Sequence, residues 1–136
     1  MKLPTWHLSA MTGLLAASLA MASPAVAPGK AILRSESVTM SGEIIDPQCY
    51  FTHGSRGAAH ASCAAMCAKG GQGLAFLEDA TGEVFPLIAR AHGSNQNEGL
   101  VPHLGKPVQV RGVVYHNAGN AVLLVQSVVA SPAKTR

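Results

Sequence analysis

All three cysteines of the chain, Cys49, Cys63 and Cys67, fall in one stretch from Asp46 to Gly71, DPQCYFTHGSRGAAHASCAAMCAKGG. The same stretch holds His53, His60 and Met66. Thiolates and imidazoles bind soft and borderline metal ions, so the first chemistry to consider is a zinc or copper site. If Ala58 to Lys69 is helical, His60, Cys63 and Cys67 stand at i, i+3 and i+7 and share one face. Cys49, in the segment ahead, is then placed to fold over that face. The expected ligand set is Cys49, His60, Cys63 and Cys67. Met66, as a thioether, and His53, on the loop before the helix, are further candidates.

Two other chemistries stay open. Cys49 bonded to Cys63 or Cys67 would staple the stretch, and closing a loop of that length is worth about 3 kcal/mol. A bond between Cys63 and Cys67 is less favoured, because i, i+4 Cα atoms in a helix lie about 6 Å apart, near the long end for a disulfide. A thiol pair that cycles, with the remaining cysteine resolving it, is the redox variant. An odd number of cysteines cannot pair completely within one chain.

These residues need a scaffold, and the ends of the chain say where it is built. Lys2 is followed by an uncharged, small and apolar run from Leu8 to Ala22, and then by Ala20-Met21-Ala22 and Ala25-Val26-Ala27. That is the pattern of a secretory signal peptide over residues 1–27, cleaved after Ala22 or Ala27, and the run is short for a membrane span. The expected location is periplasmic or secreted, with no stable membrane span after cleavage. Removing 27 of the 136 residues leaves 109, enough for one domain. Residues 28–37 read as a linker, 38–130 as the domain and 131–136 as a tail.

The formal charge of +3 is concentrated outside the domain. From Val38 to Ala130 there are five basic residues and six acidic ones, a net charge of about −1. The domain has three Phe, two Tyr and no Trp. A single-strand-binding groove needs clustered cations and stacking aromatics, so no nucleic-acid partner is expected.

Along the domain, Val38 to Ile45 alternates as a strand, with Gly42 marking a bulge or bend and Asp46-Pro47 ending it. Gln48 to Gly57 reads as loop. Ala58 to Lys69 reads as helix, six of its twelve residues being Ala, and Gly70-Gly71 stops it. Leu74–Leu77 and Val84–Ile88 form a hairpin around Asp79 to Gly82, with Pro86 at an edge or a bulge. Gly99 to Leu104 is a short helical turn. Val108 to Tyr115 and Ala121 to Val129 make a last hairpin through His116 to Asn120.

Five strands, with a short helix between the third and fourth, is the order of an OB-fold. The expected fold is mainly β, a five-stranded OB-like barrel. A Cys/His-bearing helical insert separates strands 1 and 2. Val38 to Ile45 and Gly105 to Val129, with GKPVQVRGVVY and NAVLLVQSV, resemble the small exported OB-fold proteins of bacteria. The Cys-Tyr…His…Cys…Cys insert is similar to one in short exported bacterial proteins of unassigned role. The resemblance implies a fold and carries no functional residue.

Catalytic motifs are missing: no C-x-x-C-H, G-x-S-x-G, H-E-x-x-H or phosphate-cradling glycine loop occurs. No catalytic residue is assigned and no enzyme is expected. The sequence therefore points to an exported protein that binds or delivers copper or zinc, with a partner protein receiving or donating the ion. The alternatives are a disulfide-stapled interaction module or a thiol redox protein.

Overall fold

Apolar residues on every second position make the strands of this chain, and a closed barrel is what buries them. The computed structural model describes residues 33–132. The predicted signal peptide, the first half of the linker and the end of the tail lie outside the described residues. Five strands run β1 (Arg34–Ile45), β2 (Ala75–Glu78), β3 (Val84–Ile88), β4 (Pro107–Asn117) and β5 (Asn120–Ala130). They close in the order β1-β2-β3-β5-β4, antiparallel except where β3 meets β5. In β4 the alternation is direct: Val108, Val110 and Val114 are buried, whereas Pro107, Gln109 and Arg111 are exposed. The expected OB-like barrel is present, with the helical insert between β1 and β2 and a 3₁₀ turn (Val101–His103) between β3 and β4.

β1 serves two neighbours. Arg34 to Glu43 pair with β4, and Gly42 to Ile45 pair with β2. The changeover at Gly42 brings other backbone so close that a Cβ there would collide with the Leu77 carbonyl oxygen and lie 2.7 Å from Phe76 Cζ. The bend expected at Gly42 is thus a place where only glycine fits. Pro86 pairs with Ala75 of β2, while the pairing of β3 with β5 begins only at Leu87. Its missing N–H falls where the barrel seam has not yet closed.

Three boundaries differ from expectation. β1 starts at Arg34 instead of Val38, because β4 is long enough to pair residues 34–37, whose exposure hides them from a hydrophobic pattern. The last hairpin turns on two residues, not five: Ala118 and Gly119 both have positive φ (49° and 79°), and Asn117 already pairs with Asn120. Third, the segment expected as loop from Gln48 to Gly57 contains a helix, α1 (Pro47–His53).

The insert sits over one end of the barrel. After α1, a 3₁₀ turn (Ala58–His60) leads directly into α2 (Ala61–Lys69). Ala64 and Ala68 of α2 are buried in the main core with Ile44, Phe76 and Leu104, and Ala61 and Ala65 pack at its margin. Small side chains at these positions let the helix approach the barrel closely. The side chain of α1 that packs is Tyr50, against a second small cluster of Ile45, Ala75 and Leu77. Among the described residues no helix is long and apolar enough to cross a membrane.

Candidate metal centre

The site begins with how α1 is started. Asp46 has extended φ and ψ, Pro47 occupies the first turn, and Asp46 Oδ1 accepts from the N–H of Gln48 (2.9 Å) and of Cys49 (3.3 Å). This is an N-cap followed by a proline whose missing N–H costs nothing there. Gly54, at φ 68°, ends the helix and donates to Tyr50 O (2.8 Å). The cap sets Cys49 in the first turn of α1, next to the barrel end.

A buried carboxylate then ties the connecting loop to the barrel. Glu43 of β1 accepts from the N–H of Gly57 and from Arg56 Nε (3.2 Å). Gly105, at φ 70°, lies under the same loop, and a Cβ on it would come within 2.7 Å of Gly57 O and 2.8 Å of Ala61 Cβ. At its far end α2 is held by Asn97, whose Nδ2 donates to Ala68 O. Both ends of the insert are therefore fixed, and the faces of α1 and α2 are set against each other.

Three thiols meet between these helices. The Sγ atoms of Cys49, Cys63 and Cys67 lie within 4.8 Å of one another, and all three residues are half-buried. They are free thiols and form no disulfide. Sulfur atoms bound to one tetrahedral zinc are about 3.8 Å apart, given Zn–S bonds of about 2.3 Å. Side-chain adjustment of about 1 Å closes the group on an ion.

A second group shares Cys49. A carboxylate oxygen of Asp46 and a ring nitrogen of His60 lie within 4.8 Å of Cys49 Sγ and of each other. Asp46 Oδ2 and His60 Nε2 are both buried and have no hydrogen-bond partner. Leaving such atoms unpaired costs about 1–3 kcal/mol each, a cost that a bound ion would remove. A cavity of about 10 Å³ borders Asp46 and His60 on the side of Glu43, Arg56 and Gly105, room for one water at most, and none of the three cysteines lines it. The five residues together form a Cys/His/Asp cluster able to hold a metal ion.

His60 is reached differently from the expected route. It belongs to the 3₁₀ turn and not to α2 itself, so the i, i+3, i+7 register does not continue back to it. The tighter turn groups its ring with Asp46 and Cys49. Of the remaining candidates, Met66 is 69% exposed, and His53 is exposed at the end of α1. Neither is packed among the converging donors. Asp46 is the residue that sequence reasoning missed as part of the site. Asp-Pro read as a strand end, although Asp before Pro is also the signature of a capped helix start.

The electrostatics are unusual for a carboxylate. Burial pushes the Asp46 carboxyl up, but the Cys67 thiol, the N–H and thiol of Cys49 and the Gln48 N–H together hold it below its ordinary range. The thiols respond in the opposite sense. Proximity to the Asp46 carboxylate, then burial, pushes Cys67 up to about 11, and burial, then the Asp46 charge, raises Cys49. None of the ion pairs among the described residues involves Asp46.

A pH effect follows for the reduced, metal-free protein. The unfolded Cys67 thiol releases its proton near its ordinary value of 9.0, whereas the folded one holds it to about 11. Folded protein therefore binds more protons in that window, and stability falls as pH rises through it. Urea midpoints measured at about pH 8 and about pH 10.5 should show a loss in the wild type that is smaller in Cys67→Ser. Equal losses in the two proteins would show that this thiol is not responsible.

No family model matches the chain, and no curated protein or solved structure matches it.

Proposed function

We propose that this is a small exported protein that binds a soft or borderline metal ion, copper or zinc, and hands it to or takes it from a partner protein. Cys49, Cys63 and Cys67 serve as thiolate ligands and His60 as a nitrogen donor. The observation that carries this reading is the convergence of three thiols from two separately anchored helices within 4.8 Å of one another. The unpartnered His60 Nε2 and Asp46 Oδ2 beside them support it, because buried polar atoms are normally satisfied. Export rests on the pattern of residues 1–27 and on the likeness of the strand segments to small exported OB-fold proteins. Transfer to a partner is supported by Phe51 and Met66, exposed at 70% and 69% on the two helices that carry the thiols.

The same proximity of thiols favours one competing reading, a disulfide from Cys49 to Cys63 or Cys67 that staples the insert. Elemental analysis with a free-thiol count, before and after chelation, separates the two. The metal reading requires about one equivalent of copper or zinc per chain and thiols that become reactive when the ion is removed. No metal and a single reactive thiol would establish the staple in its place.

A further inference from the structure

An N-cap needs one acceptor oxygen, and serine or asparagine supplies it as well as aspartate does. Asp46 meets that need with Oδ1 alone, through the N–H groups of Gln48 and Cys49. Its second oxygen is what capping does not explain. The residue is 1% exposed, Oδ2 is buried with no hydrogen-bond partner, and no cation pairs with the carboxylate among the described residues. In the metal-free protein the Cys49 and Cys67 thiols and two backbone N–H groups offset the burial of this charge. Once the thiols give up their protons to an ion, the carboxylate loses those partners and the ion supplies the counter-charge. The cap also fixes direction: Oδ1 is held by two backbone donors, and the carboxyl group that lies beside Cys49 Sγ and His60 keeps Oδ2 as its free oxygen.

From this geometry we propose that Asp46 Oδ2 is an oxygen ligand of the ion held by Cys49, Cys63 and Cys67, and that it makes the site favour a divalent borderline ion such as Zn²⁺ over cuprous copper. The inference rests on the metal-binding reading above and sharpens it. Two physical terms act in the same direction. Carboxylate oxygen is a good ligand for zinc and a poor one for the soft cuprous ion, which takes thiolate and thioether sulfur. The charge term agrees: three thiolates and a carboxylate leave a net −2 around a dication but −3 around a monocation. At equal distance the carboxylate attracts the dication twice as strongly. His60, the nitrogen donor of that reading, lies beside the same carboxylate and Cys49 as a further ligand.

The test uses the full chain, reduced, titrated separately with Zn²⁺ and with Cu⁺ against competing chelators. The comparison is between wild type and Asp46→Asn, which keeps the Oδ1 cap and removes the charge. Zinc affinity should fall at least about tenfold in the variant, while cuprous affinity stays within about threefold. An equal fall for both ions would assign Asp46 to positioning alone and overturn the proposal, as would unchanged zinc affinity. Asp46→Ser, which also caps, repeats the comparison if the asparagine variant does not fold, as judged by its circular dichroism. Wild-type protein that binds Cu⁺ but not Zn²⁺ overturns this inference and leaves the metal reading standing. Wild-type protein that binds neither ion overturns both.

Discussion

Cys49→Ser is expected to lower metal affinity by more than about 100-fold, the largest loss for any single thiol of the site. Cys49 is the one donor common to the Cys49–Cys63–Cys67 group and the Asp46–Cys49–His60 group. Losing Cys63 still leaves Asp46, Cys49 and His60 together, whereas losing Cys49 leaves no complete group. The fold should not notice. α1 is started by Asp46 and anchored by Tyr50 against Ile45, Ala75 and Leu77, and neither depends on the Cys49 thiol. The thermal midpoint of the reduced, metal-free variant should therefore stay within about 4 °C of wild type. The disulfide reading expects the reverse. There, Cys49→Ser would cost the oxidised protein about 3 kcal/mol of loop-closure stabilisation, and wild type would bind no ion. Isothermal titration with zinc and a melting curve, made on the same preparation, distinguish the two patterns.

The barrel was legible because its signal is repetitive. Val108, Val110 and Val114 on one face, with Gln109 and Arg111 on the other, repeat one alternation, and the glycines fall at its breaks. The insert was legible only in part. Alanine at 61, 64, 65 and 68 announced α2, and of these Ala64 and Ala68 are buried while Ala61 and Ala65 are half-buried against the same core. Grouping Cys63 with Cys67 needed only the helix. Bringing Cys49 to them needed α1, whose seven residues carry no apolar period because it packs mainly through Tyr50. Its start and stop signals, Asp46-Pro47 and Gly54, were present but read equally well as loop punctuation. The place of Asp46 in the site could not be read at all. Whether a carboxylate is buried, and whether its second oxygen is satisfied, depends on β1 and α2 closing around it.

Asn97 shows the same limit and supports the second large prediction. In the sequence it is one of several polar residues ahead of a short turn. In the fold it is 5% exposed and fastens three strangers together. Its Oδ1 accepts from Leu74 N (3.1 Å), and its Nδ2 donates to Gln72 O (2.8 Å) and Ala68 O (3.3 Å). It thus joins the end of α2 to the approach to β2. Asn97→Ala leaves the Leu74 N–H and the Gln72 carbonyl to find other partners, at about 1–3 kcal/mol for each that stays buried and unmet, whereas Ala68 O keeps the Gly71 N–H. A total loss of about 3–4 kcal/mol is expected, a large share of the roughly 5–15 kcal/mol that holds a domain of this size. Asn97→Asp separates hydrogen bonding from volume. It keeps the acceptor for Leu74 but sets a negative charge against two carbonyl oxygens, so it should be at least as destabilised near neutral pH. It should recover in part as acid protonates it and restores one donor. Because Cys67 precedes the tethered Ala68, zinc affinity should fall together with stability in both variants, unlike Cys49→Ser, where affinity falls alone. A urea midpoint for Asn97→Ala within about 1 kcal/mol of wild type would mean that water replaces the side chain and that α2 is held by its alanines instead.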